Sequence, residues 1–138
     1  IIADGNRYRV EAHGVVRARG RQRAERLADL DRRFSAMVAD VAPDCAAVES
    51  SFSGRNPKSS LSLAECRGVI LAALGRRGVA TWSYPPAEIK SAVVGHGTAQ
   101  KQQVGYMVTR LLSLDEEPPA DAADAMAVAL THLHTKRW

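Results

Sequence analysis

A chain of 138 residues suits one domain with a real core and is too short for two. Hydrophobic residues make up 46% and charged residues 25%, which sets aside a disordered tail and a coiled coil. Nineteen Lys and Arg against 15 Asp and Glu leave a net charge of +4, compatible with a polyanionic partner without demanding one.

The longest apolar run, GVILAALG, is far too short to span a bilayer. The opening residues lack a basic stretch followed by an apolar one, so no export signal is expected. Cys45 and Cys66 lie in apolar contexts without metal-ligand spacing, and buried free thiols in a reducing cytoplasm are expected. Ile1-Ile2 reads as the end of a strand already under way, which gives the expectation of a chain trimmed at its N-terminus.

The first twenty residues read as a hairpin, with Asp4-Gly5 suited to its turn and Tyr8, Val10 and Ala12 alternating with polar neighbours. From Arg21 the period becomes helical through Leu27, Leu30, Phe34, Met37, Val38 and Val41, and Pro43 stops it. The arginines of this stretch form a solvated face. DCAAVE, residues 44–49, reads as a buried strand ending in a carboxylate. After the polar loop SSFSGRNPKSS comes a helix over 59–77, apolar almost all round, as if buried on more than one side. GVATWSY is a strand, and PPAEIKSAVVG a short helix with prolines at its start. Residues 98–114 form a helix with Thr98 as cap, and a last helix runs from Ala120 to Thr135. The pattern is an α/β protein with a mixed sheet.

Two aspartates, Asp121 and Asp124, stand three apart in the first turns of the last helix, which brings their Cβ atoms to ~5–6 Å on one face. Acidic residues there complement the helix dipole. They also fit a cation site, since two carboxylates that close raise each other's pKa unless a positive charge compensates. Glu49, at the end of an apolar strand, adds a third oxygen donor where an α/β sheet opens towards ligands. Three carboxylates without His or Cys at ligand spacing suit Mg²⁺ or Mn²⁺ rather than zinc.

Arg55, Lys58, Lys90 and Lys101 lie in the segments that would border such a site. Lys101 sits in the first turn of its helix, the unfavourable end for a cation, which suggests an anion outside the protein nearby. Phe52, in a polar loop, would either plug into the core or stack on an unpaired base. His96 is a loop residue without an evident partner; His132 and His134 read as structural or surface residues.

Taken together, AVESSF, NPKSSLSLAECRGVI, EIKSAVVGHGTAQKQQV and LLSLDEEPPADAADAMAVALTH, with GVVRARG more loosely, resemble the RuvC-type crossover-junction endodeoxyribonucleases, the bacterial Holliday-junction resolvases. The resemblance is strong over residues 45–134 and weaker before them. It implies a ribonuclease H-like α/β fold, a mixed sheet flanked by helices and present here as a single domain. It further implies a homodimer and metal-dependent phosphodiester hydrolysis in recombination and repair, with a junction-migrating motor as partner.

Family members place four carboxylates around two divalent ions, Mg²⁺ or Mn²⁺. Glu49, Asp121 and Asp124 match three of them. The fourth belongs to a Gly-x-Asp-Pro-Gly motif on a central strand that would precede Ile1; Asp4, in the hairpin turn, is not a substitute. By the same resemblance Phe52 stacks at the opened junction centre, Lys90 and Lys101 touch the scissile region, and the helix at 59–77 pairs the subunits. The alternative expectation is a non-catalytic four-way-junction-binding module.

Overall fold

The computed structural model describes residues 1–5, 7–50 and 57–136. Along the chain run β1 (Ile2–Asp4), β2 (Arg7–Arg9), α1 (Arg23–Val41), β3 (Cys45–Glu49), α2 (Pro57–Arg76), β4 (Ala80–Tyr84), α3 (Pro86–Val94), α4 (Lys101–Leu111) and α5 (Ala120–Thr135). Contacts divide the chain into two compact units. The first comprises Ile1–Val15, Ala47–Ser51 and Trp82–Trp138, and the second Val16–Ala46 and Phe52–Thr81.

The core of the first unit lies among α3, α4 and α5. Ile89 and Val93 come from α3, Val104 and Val108 from α4, and Met126, Ala127, Val128 and Leu130 from α5, with Tyr84 completing the cluster. Their i, i+4 spacing stacks these side chains on one face of each helix. Pro85 and Pro86 start α3, where a missing N–H costs nothing. Gly95 ends it in the left-handed region, φ +96°, which a side chain would disfavour.

Under α5 sits a polar cluster. The Tyr84 hydroxyl and His132 Nδ1 lie 2.7 Å apart, and the Trp82 ring lies 4.6 Å from the imidazole centroid. His132 is 2% exposed, as its reading as a structural residue requires, whereas His134 is exposed beside Tyr8.

In the second unit α1 packs on α2, and Leu30 and Val38 of α1 and Ala73 and Leu74 of α2 are buried. The capping box of Gln22 and Glu25 opens α1. Arg23–Glu65 and Arg76–Asp31 ion pairs tie the two helices.

Several expectations change. The sheet pairing among the described residues is limited to two short ladders, an antiparallel β1–β2 hairpin and a β3–β4 pair. Each strand has a single ladder partner among the described residues, so β3 is half-buried rather than buried. Cys45 and Cys66 are accordingly half-buried free thiols. The α2 helix is not enclosed all round either, since Leu61 and Leu63 are each 56% exposed. Thr98 does not cap α4. Its hydroxyl lies 3.3 Å from His96 Nδ1, giving His96 a partner, and Gln100 takes the cap position.

Burial of His132 holds its imidazole below the ordinary histidine value, with the nearby Lys136 charge acting in the same direction. The unfolded chain therefore takes up this proton at a higher pH than the folded one, and stability falls as pH drops below ~6.5 towards the folded value. We expect His132→Gln to flatten urea-unfolding stability between about pH 5 and 7 relative to the parent. An unchanged slope would show that His132 does not couple folding to protonation.

Candidate nucleic-acid-processing site

Four segments of the first unit supply the site, α3 contributing Lys90. At the end of β3, the backbone N–H of Ser50 donates to the Tyr84 carbonyl at 2.9 Å, so Glu49 is held beside a buried residue of β4. At the start of α4, the N–H of Gln100 donates to Gln103 Oε1 at 2.8 Å in a capping box, and Lys101 is the first helical residue. At the start of α5, Pro119 takes the cap position and its carbonyl accepts from the N–H groups of Ala122 and Ala123. Ala122 and Ala123 are buried, Asp121 is exposed, and Asp124 is half-buried one turn before the buried Ala127 and Val128.

Glu49, Lys90, Lys101 and Asp124 line one cavity of about 220 Å³. Its apolar walls come from Pro86, Ile89, Val104, Ala127 and Val128. None of these wall residues stood out in the sequence as a site residue; helical spacing alone gives no sign that they would floor a pocket. Lys101 Nζ lies 2.7 Å from Asp124 Oδ2. Thus the anion facing this helix start is a side chain of the same chain, not an external one.

The charges are coupled. Burial raises the Glu49 carboxyl above its ordinary value, the Asp124 charge raises it further, and Lys101 pulls it down. Lys101 is held above its ordinary value first by its hydrogen bond to Asp124 and that carboxylate's charge, then by Asp121 and Glu49. All three expected carboxylates therefore act on one ammonium group.

Not every predicted site residue joins this cavity. Asp121 is exposed and does not line it. Lys58 lies exposed in the first turn of α2, in the second unit. Phe52 and Arg55 lie outside the described residues. The donor chemistry, carboxylate oxygens alone, suits a hard divalent cation. Among the described residues, however, no three His, Cys, Asp or Glu side chains stand together as a ready-formed metal group. The Lys101 ammonium instead occupies Asp124.

The sequence matches the family profile "Crossover junction endodeoxyribonuclease RuvC" over residues 1–132. The chain belongs to the RuvC family. Among its relatives, the RuvC of Alkalilimnicola ehrlichii is 46% identical over 134 residues, 97% of this chain and 81% of that protein. The RuvC of Acidiphilium cryptum is 47% identical over 135 residues, again 97% and 81%. Thermus thermophilus RuvC, solved in complex with a Holliday junction substrate, superposes with a TM-score of 0.88 at 31% identity, covering 98% of this chain and 83% of that one. A second structure of Thermus thermophilus RuvC gives 0.85 at 32% identity, with 97% and 82% covered. The fold is ribonuclease H-like, as the resemblance in sequence implied.

The coupling has a direct readout. In a ¹³C carboxyl titration, Lys101→Met removes a charge that lowers Glu49 and should move its midpoint up, whereas Asp124→Asn should move it down. A Glu49 midpoint unmoved by both substitutions would separate these side chains.

Proposed function

We propose that this RuvC-family chain resolves Holliday junctions by divalent-ion-dependent hydrolysis of DNA phosphodiesters. One observation carries the reading: Glu49 and Asp124 share a cavity with Lys90 and Lys101, in a chain whose relatives are named crossover junction endodeoxyribonucleases. The names of the relatives, crossover junction endodeoxyribonucleases, favour this reading over a non-catalytic binding module.

In this proposal Glu49, Asp124 and the neighbouring Asp121 hold Mg²⁺ or Mn²⁺ through oxygen donors. A divalent ion bound there supplies Lewis-acid polarisation of the phosphate and a water of lowered pKa. The residues do the rest by placement. The β3–β4 ladder fixes Glu49 against Tyr84. The buried face of α5 fixes the direction of Asp124. Lys90, half-buried on the cavity wall, attracts the phosphate. The apolar floor limits bulk water around the reacting group. No side chain need form a covalent bond to the DNA.

The wider assignments follow from the family. Two copies related by a twofold axis would place sites on opposing strands and give paired, symmetric nicks. The exposed Leu61 and Leu63 of α2 give apolar surface to a homodimer. Phe52 would stack on a base at the opened junction centre, and Arg55 and Lys58 would contact phosphates. A motor that migrates the junction is the partner, in the cytoplasm; no described helix is long and apolar enough to cross a membrane.

Incubated with a four-way junction and Mg²⁺, the full-length protein, with the strand that carries the fourth carboxylate, should nick two opposing strands. Glu49→Gln or Asp121→Asn should lower the rate by at least about a hundredfold, an electrostatic loss of ~3 kcal/mol, while junction binding survives. Cleavage at the parental rate in both variants would remove these carboxylates from the site.

Phe52→Ala tests the stacking role separately. Loss of one base stack, ~1–3 kcal/mol, should slow cleavage with near-parental binding and melting temperature. A drop in melting temperature instead would identify Phe52 as a core plug.

A further inference from the structure

Lys101 stands where electrostatics disfavours it. It is the first residue of α4, at the positive end of the helix dipole. Its side chain is 64% exposed and long enough to reach water. Its ammonium nonetheless lies 2.7 Å from Asp124 Oδ2, on the rim of the cavity that Glu49 and Asp124 share. Lys90 lines the same cavity without an ion pair to Asp124. Of the two lysines, only Lys101 forms an ion pair with Asp124.

Resting on the reading of this cavity as a divalent-ion centre, we propose that the Lys101 ammonium is a built-in counterion of the ion-free site, competing with the divalent cation for Asp124 and leaving that carboxylate when the ion binds. The ammonium cannot keep its hydrogen bond to Asp124 and also sit beside a dication at the same oxygen, because like charges at contact repel. The counterion holds Glu49 and Asp124 near each other while no ion is present, offsetting their mutual repulsion. On loading, it becomes a cation without a carboxylate at the mouth of a phosphate-binding cavity. The site therefore has two arrangements of one side chain, and the ion selects between them.

The test is Mn²⁺ binding to the purified chain, read from loss of the free-ion EPR signal without DNA. Lys101→Met should bind Mn²⁺ about three- to tenfold more tightly than the parent, the modest gain expected from removing an exposed pair. Lys101→Arg, which keeps the charge, should bind like the parent, and Lys90→Met should change affinity less than Lys101→Met. Equal gains in Lys90→Met and Lys101→Met would reduce the effect to general charge and overturn the competition. So would Mn²⁺ binding in Lys101→Met no tighter than in the parent, leaving the metal-centre reading intact. Absence of binding in parent and variants alike, or parental binding in Asp124→Asn, would overturn both.

A second measurement uses the unmodified protein. Mg²⁺ should increase the acetylation rate of Lys101 several-fold relative to Lys136, because the amine is released from its carboxylate. An unchanged ratio under conditions where Mn²⁺ binds would contradict displacement.

Discussion

Eight residues of α5, Ala122, Ala123, Met126, Ala127, Val128, Leu130, Thr131 and His132, are withdrawn from water, and that burial sets the direction of everything else on the helix. A helix anchored on such a wide face cannot rotate without exposing Leu130 or Met126, at ~1.5–3 kcal/mol for each large apolar side chain. Asp124 is therefore held one turn before the buried Ala127 and Val128, at the edge of that face, with Asp121 a turn nearer the helix start. The small residues matter as much as the large ones: Ala122, Ala123 and Ala127 let α3 and α4 approach closely enough to form a wall around the cavity.

That constraint explains why a charged site can rest on an apolar floor. Val104 and Val108 lie one turn apart on α4 and bury together, which sends Lys101, the first residue of the helix, towards the rim of the cavity. Glu49 arrives from a different element and is fixed by backbone, through the Ser50–Tyr84 hydrogen bond. The exposed Lys101–Asp124 pair adds little to folding, since surface ion pairs contribute ~0–1 kcal/mol. Its consequence lies in the electrostatics of the site: it lowers Glu49 while Asp124 raises it.

Much of this was legible in residue order alone. The α5 boundaries follow from Pro119 before an Ala-rich amphipathic run, and β3 from an apolar run ending at Glu49. The hairpin turn at Asp4-Gly5 follows from the conformational freedom of Gly5, found at φ +56°. Other features depend on tertiary neighbours. Thr98 is a better intrinsic cap than Gln100, but its hydroxyl is engaged by His96, while Gln103 completes a capping box at Gln100. The mixed sheet follows from the order of the elements, whereas the ladders that form depend on backbone partners that periodicity does not specify. The Lys101–Asp124 bond joins residues 23 apart in sequence, beyond any local pattern; the helix-dipole argument indicated an anion near Lys101 but not which one.

A crystal structure of the chain soaked in Mn²⁺, read by anomalous scattering, tests the central claim most directly. The account predicts a peak in the cavity between Glu49 and Asp124, with the Lys101 ammonium moved off Asp124. Manganese bound elsewhere, with Lys101 still paired to Asp124 and no density between the two carboxylates, would contradict it.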